Sequence, residues 1–195
     1  MKIGIKELYS KEKEYLGKEI EVNGWVKTVR SSGGIGFLEI TDGSFFRSLQ
    51  LVFDSATNFS RNDEILSNGF EQIEKLPIYT GIRVMGLLQE SPAKGQLFEL
   101  KAIEILEIAS SDRDYPLQKK GHSFEFLRTI AHLRPRSNTF QAVFRLRSVL
   151  SFAVHKFFQE KGFVYAHTPI ISTSDAEGAG EMFNVTTLDL KNIKQ

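Results

Sequence analysis

Cysteine is absent from the 195-residue chain, which excludes disulfide bonds, thiol nucleophiles and zinc sites built on cysteine. Long apolar runs are absent too, and none approaches the roughly 20 residues that a membrane helix needs. The 25 Lys and Arg residues nearly balance the 24 Asp and Glu residues. This balance excludes a protein that holds nucleic acid by bulk positive charge, although a local basic surface is compatible with it.

Several functional signatures are also missing. The first residues, Met1-Lys2-Ile3-Gly4, do not lead into the apolar segment and cleavage site of a signal peptide, so we expect a cytoplasmic protein without membrane contact. The four histidines show no paired metal-ligand spacing, and no nucleophile motif of the G-x-S-x-G kind occurs. We therefore expect neither a metal site nor a catalytic residue in this chain.

The first part of the chain has the patterning of a small β-barrel. Alternating apolar residues and turn signals predict five strands, at 18–29, 35–41, 46–53, 80–89 and 96–108. Helical spacing over 62–76, ended by Pro77, predicts one helix between the third and fourth strands. This is the layout of an OB-fold, a five-stranded Greek-key barrel, which we predict over residues 1–109. Because spacing does not reveal strand order, another small barrel or meander is the alternative.

The remainder of the chain changes character. The polar stretch 110–136 predicts a linker with a short helix near residues 124–131. A long amphipathic helix follows, capped at Ser137 or Asn138 and stopped near Gly162. Strands are predicted at 163–167 and 181–188. The expected overall class is therefore mainly β plus α, with a second domain over 137–195.

The outer face of the barrel carries the best candidate binding residues. Leu38 and Ile40 take the inward phase of the second strand, which turns Phe37 outward. The same reasoning on the third strand turns Gln50 outward. An exposed aromatic ring beside an amide suits a stacked nucleobase and its edge hydrogen bonds, and nearby cations suit its phosphates: Lys27, Arg30 and Arg47. The alternatives are that Phe37 lies under the linker or that a bulge shifts the phase.

An acidic, glycine-containing loop follows the predicted strand at 163–167. It reads Ser174-Asp175-Ala176-Glu177-Gly178-Ala179-Gly180-Glu181. A carboxylate there suits a charge-assisted hydrogen bond to an ammonium group. A plain solvated turn is the alternative.

Four segments in order resemble the amino-terminal portion of asparaginyl-tRNA synthetase, a class IIb aminoacyl-tRNA synthetase. They are Gly24-Trp25-Val26, Leu133-Arg134-Pro135-Arg136, the run from Phe163 to Ile171, and the run from Glu177 to Asp189. The last segment is the specific one, since the barrel alone also resembles the aspartyl and lysyl enzymes. The resemblance covers the chain up to Leu190 and implies an OB-fold, a linker over 110–136, and the truncated start of a class II α+β catalytic domain.

The resemblance also implies roles for particular residues. The barrel is expected to bind the anticodon of tRNA(Asn), with Phe37 stacking on a base and Gln50 contacting the central uridine. The helix and the segment after it look like class II motif one, which builds a homodimer interface in this family. Phe163, Tyr165 and Pro169 are the expected interface residues, and Glu177 is expected to contact the α-amino group of asparagine.

The sequence departs from the family in one large respect. ATP and Mg²⁺ are the family's cofactors, but the arginine-containing motifs two and three that hold ATP do not occur here. Since those guanidinium groups stabilise the reacting phosphates, we expect no aminoacylation from this chain alone. Two other interpretations stay open at this point: a stand-alone OB-fold module that binds tRNA without catalysis, and a fragment of an aspartyl-tRNA synthetase.

Overall fold

The computed structural model describes residues 1–62, 64–171 and 185–187. The chain divides into two compact units, Met1–Arg147 and Ser148–Gln195. In the described part of the first unit, strands form a single sheet: β1 (Glu19–Ser32), β2 (Ile35–Thr41), β3 (Leu49–Phe53), β4 (Asn58–Arg61), β5 (Glu64–Ile65), β6 (Gly81–Glu90) and β7 (Phe98–Ala109).

Five of these strands close into the predicted OB-fold barrel. The order β3-β2-β1-β6-β7 is antiparallel throughout, and β3 then pairs in parallel with β7, where Leu51 lies opposite Leu100. That last pairing turns an open sheet into a closed barrel. Strands β4 and β5 lie outside the ring, because β4 pairs with β7 further along and β5 pairs with β4.

The barrel core is filled by the side chains that alternate toward the inside of each strand. Leu38 and Ile40 on β2 are fully buried, as are Leu49 and Leu51 on β3. Two short helices that the sequence did not reveal, α1 (Ile5–Ser10) and α2 (Glu12–Tyr15), add to this core. Their buried side chains, Ile5, Leu8 and Tyr15, belong to the same hydrophobic cluster as the barrel residues.

The helix predicted over 62–76 is wrong in extent. Strand β5 lies within its first residues, and α3 covers only Gly69–Glu74. Asn62 and Asn68 both have positive φ, of 52° and 61°, which a continuous right-handed helix does not allow. Gly69 also lies so close to the carbonyl of Thr57 that a Cβ there would be 2.9 Å from the oxygen.

The helices after the barrel agree with the sequence pattern. Helix α4 (Phe124–Thr129) begins with Ser123, whose Oγ accepts a hydrogen bond from the amide of Phe126 at 3.2 Å. A short 3-10 turn, Arg134–Arg136, leads to the long helix α5 (Asn138–Glu160). Gly162 follows α5 with a φ of 83°, as expected for a residue just beyond a helix end.

The strand predicted at 163–167 is absent. Residues 163–169 have no regular secondary structure, and the described residues of the second unit contain no strand that could pair with them. A strand needs a neighbour for its backbone hydrogen bonds, so alternation alone does not produce one. The strand predicted at 181–188 lies outside the described residues except for 185–187, which have no regular structure. The domain boundaries 1–109, 110–136 and 137–195 stay a prediction.

Candidate nucleic-acid interface

Phe37 lies on the outer face of the barrel. It is half-buried, whereas the residues before and after it in the sequence, Gly36 and Leu38, are buried. Its predecessor Gly36 faces inward, where the ring of Phe53 occupies the space that a Cβ would need. Because side chains alternate along a strand, the phase that turns Gly36 toward Phe53 turns Phe37 outward. Across the β1–β2 pair, Arg30 lies opposite Phe37, and its guanidinium carbon is 5.1 Å from the centre of the Phe37 ring.

The side-chain amide of Gln50 is held at both ends. Arg30 Nη2 donates to Gln50 Oε1 at 3.2 Å, and Gln50 Nε2 donates to a carboxylate oxygen of Glu99 at 3.3 Å. These two partners fix which end of the amide is oxygen and which is nitrogen. An amide oxygen accepts two hydrogen bonds and an amide nitrogen donates two, so one acceptor position and one donor position stay open for a ligand.

Glu99 is a contact of Gln50 that the sequence pattern did not reveal. Only 5% of its surface is exposed, and its carboxylate accepts hydrogen bonds from three side chains. Besides Gln50, the donors are Gln89 Nε2 at 3.0 Å and Ser91 Oγ at 3.0 Å. In the sequence, the one indication of a special role for Glu99 is that this acidic residue stands between two apolar residues, Phe98 and Leu100. Its proximity to Gln50 depends on the β3–β7 closure, which no local pattern reports.

The remaining predicted barrel residues meet in one cleft. A cavity of about 260 Å³ is lined by Lys27, Glu39, Phe46, Arg47, Ser48, Gln50, Gln96 and Asn138. Lys27, Arg47 and the amide of Gln50 therefore share one surface. Gln50 also contacts Arg30, and Arg30 lies over the ring of Phe37, so this surface continues to Phe37. Glu39 is the acid on this surface. The structure thus brings together all five residues that the sequence assigned to nucleic-acid contact, and their binding roles stay predictions.

The candidate interface residues of the second unit are exposed. Phe163 and Tyr165 are each 61% exposed. The Phe163 ring lies 5.3 Å from that of Phe158, and the Tyr165 ring lies 5.0 Å from that of His155. Pro169 is exposed as well. Glu177 lies outside the described residues, so the structure places no amino-acid contact.

The described residues contain neither a group of metal ligands nor a membrane-spanning helix. Within 1–62, 64–171 and 185–187, no three acidic or histidine side chains come together as metal ligands. None of the helices in those ranges is long and apolar enough to cross a membrane.

Comparison with known proteins identifies the family of the chain. Residues 20–108 match the family described as OB-fold nucleic acid binding domain, and residues 123–193 match the family described as tRNA synthetases class II (D, K and N). The asparagine–tRNA ligase of Acetivibrio thermocellus is 58% identical over 96% of this chain, and that of Clostridium perfringens is 55% identical over 95%. The chain belongs to the asparagine–tRNA ligase family. It spans 39% and 38% of the lengths of these two relatives.

Solved structures share the fold of this chain. The asparaginyl-tRNA synthetase from Pyrococcus horikoshii, complexed with asparaginyl-adenylate, matches 97% of this chain and 41% of its own length, with a TM-score of 0.79 at 22% identity. The aspartyl-tRNA synthetase from Entamoeba histolytica matches 87% of this chain and 39% of its own, with a TM-score of 0.64 at 19% identity. The fold is therefore common to both specificities, and the assignment to the asparagine–tRNA ligase family rests on the high sequence identity to its members.

Proposed function

We propose that the barrel binds the anticodon of tRNA(Asn) and belongs to a protein that attaches asparagine to that tRNA. The observation that supports this proposal most strongly is the pairing of an outward phenylalanine with an amide of fixed orientation. Phe37 supplies the ring and Gln50 the amide, on adjacent strands of an OB-fold. Proteins that read single-stranded RNA combine these two kinds of contact.

Stacking on Phe37 supplies binding energy without base selectivity, because every nucleobase has a flat aromatic face. Arg30 already lies over this ring, and its side chain is exposed. A base that stacks on Phe37 takes the place of the guanidinium, which then turns to the neighbouring phosphate. Lys27 and Arg47 in the adjoining cleft supply further positive charge for the RNA backbone.

Gln50 supplies the selectivity. Uracil presents an N3–H donor beside an O4 acceptor, and the open acceptor and donor positions of the Gln50 amide match this pair. Cytosine presents an acceptor beside an amino group, which is the reverse pattern. Glu99 holds the nitrogen end of the amide, so the amide cannot turn over to suit cytosine without breaking that hydrogen bond.

The other proposed roles lie outside the barrel. Glu177 is proposed to contact the α-amino group of asparagine, and Phe163, Tyr165 and Pro169 are proposed to join two copies of the protein. ATP and Mg²⁺ are the cofactors proposed for the whole protein, in the cytoplasm. The described residues include no group of metal ligands, and the arginine motifs that hold ATP in this family do not occur in the sequence.

Replacing Gln50 with alanine tests this proposal. The unmodified 195-residue chain is expected to bind an RNA hairpin with uridine at the centre of the loop triplet more tightly than one with cytidine. In Gln50→Ala the difference is expected to shrink by about 1 kcal/mol, because the hydrogen bonds that distinguish the two bases can no longer form. Fluorescence anisotropy titration of both hairpins measures it.

A matched control removes an amide from elsewhere on the barrel unit. Gln72 lies on α3. It lines neither the cleft that contains Gln50 nor the second cleft described below, of about 360 Å³. Gln72→Ala is therefore expected to keep the full preference for uridine. If Gln50→Ala also keeps that preference while remaining folded, Gln50 does not read the base and the proposed recognition is wrong.

A further inference from the structure

A second cleft lies in the first unit, where the loop before β6 meets the linker. Its volume is about 360 Å³. Three stretches line it, Ile78–Tyr79, Leu117–His122 and Arg136–Thr139, together with Lys27 and Thr28 of β1. Four of the lining residues carry a permanent positive charge, Lys27, Lys119, Lys120 and Arg136, and none of the lining residues is an aspartate or a glutamate.

Within the described part of the chain, these four cations form no ion pair. The ion pairs there involve other cations: Lys11, Arg61, Lys75, Arg128 and Lys156. The chain as a whole has a net charge of only +1, so acidic residues are plentiful elsewhere. Clustered cations without carboxylates repel one another, and an anionic ligand relieves that repulsion.

The guanidinium of Arg136 is held in place by two tyrosines. Its Nη1 donates to the hydroxyl of Tyr115 at 2.7 Å, and its carbon lies 5.3 Å from the centre of the Tyr79 ring. The two tyrosine rings are 4.4 Å apart. Burial raises the pKa of the Tyr79 phenol, and the proximity of Tyr115 raises it further while Arg136 opposes the change, so the phenol stays neutral beside the cation.

The backbone of Tyr79 supports the same arrangement. Its φ is 64°, in the left-handed region that a bulky side chain rarely adopts, and its amide donates to the carbonyl of Val26 at 2.6 Å. This conformation places the ring between the barrel and the linker, where it contacts Arg136 and Tyr115. Strain that the surrounding contacts maintain in this way is often found at binding sites.

The two clefts share a wall. Lys27 lines both the second cleft and the cleft that contains Arg47 and Gln50, and so does Asn138. The Nζ of Lys27 lies 3.4 Å from Asn138 Oδ1. An RNA chain bound at Phe37 and Gln50 that continues past Lys27 therefore reaches the second cleft without leaving the positively charged surface.

We propose that the second cleft binds backbone phosphates of the RNA that adjoins the triplet read at Phe37 and Gln50. This inference rests on the proposed function, because it places the same RNA on both surfaces. Lys119 and Lys120 supply point charges and Arg136 a fixed, forked donor for the phosphate oxygens. The contacts position the RNA and carry no sequence selectivity.

The test is the salt dependence of RNA binding by the 195-residue chain. A hairpin RNA that presents the triplet in its loop is titrated at several salt concentrations, with the chain and with the double variant Lys119→Gln/Lys120→Gln. For each phosphate that the variant no longer neutralises, the slope of log Kd against log salt is expected to fall by roughly 0.7–0.9. A control double variant, Lys13→Gln/Lys18→Gln, removes the same charge from exposed positions that line neither cleft and is expected to leave the slope nearly unchanged.

A shorter RNA separates this proposal from the one on which it rests. The isolated trinucleotide contacts only the Phe37 surface, so Lys119→Gln/Lys120→Gln is expected to bind it as the unmodified chain does. Equal hairpin slopes for the cleft variant and the unmodified chain contradict the second cleft. If instead Phe37→Ala binds the hairpin normally while the cleft variant is impaired, the reading of the triplet is wrong and the phosphate site stands.

Discussion

Replacing Phe53 with alanine is expected to lower the free energy of unfolding of the barrel by about 3–5 kcal/mol. Only 1% of Phe53 is exposed, and its ring lies under Gly36 and 5.2 Å from the ring of Phe70. Removing the ring leaves a cavity that the closed barrel cannot collapse to fill. Urea unfolding followed by circular dichroism measures the change. Phe46→Ala, at a position 48% exposed, is the control and is expected to change the stability by less than about 0.5 kcal/mol.

The contact between Phe53 and Gly36 gives this prediction a stricter form. Gly36→Ala adds a Cβ that meets three ring carbons of Phe53, so it is expected to destabilise the barrel by about 1–3 kcal/mol. In the double variant with Phe53→Ala the clash is gone, and the total destabilisation is expected to be smaller than the sum of the two single effects. Additive effects would show that Gly36 and Phe53 do not meet inside the barrel, and the outward direction of Phe37 would lose its support.

Replacing Phe37 with alanine is expected to weaken RNA binding by about 1–3 kcal/mol, because stacking of one base on an aromatic ring contributes that much. The stability of the barrel is expected to change little, since the ring lies on the outer face and is only partly buried. Binding of the hairpin RNA at fixed salt concentration, beside an unfolding curve for the same variant, separates the two effects.

Phe37→Tyr is the matched control for that measurement. Tyrosine keeps the aromatic ring and its flat face, so the affinity for RNA is expected to stay close to that of the unmodified chain. An alanine variant that binds as tightly as the tyrosine variant would show that no base stacks at this position.

The parts of the structure that the sequence predicted are those that depend on local alternation. The predicted bounds of β2, 35–41, agree with the observed strand, and its inward residues Leu38 and Ile40 are fully buried. Alternation on β2 turns Phe37 outward, and the same alternation on β3 turns Gln50 outward. The long helix α5 was recognisable because its apolar stripe extends over 23 residues, well beyond the length of a strand.

The parts that the sequence did not predict depend on contacts between distant residues or on unusual backbone conformations. Apolar spacing over 62–76 suggested a helix, but the positive φ angles of Asn62 and Asn68 are not visible in that spacing. Glu99 looked like an ordinary strand residue, because its hydrogen bond to Gln50 spans 49 positions. The segment 163–167 alternates as a strand does, yet pairing decides whether it becomes one.

The most direct measurement for the central proposal is photochemical crosslinking of RNA to the chain. A hairpin RNA with 5-iodouridine at the centre of its loop triplet is bound, irradiated and digested, and the modified peptide is identified by mass spectrometry. If the central base stacks on the outward ring, the adduct is expected on Phe37 and is expected to disappear in Phe37→Ala. An adduct that maps to another residue, and persists in Phe37→Ala, would contradict the proposal.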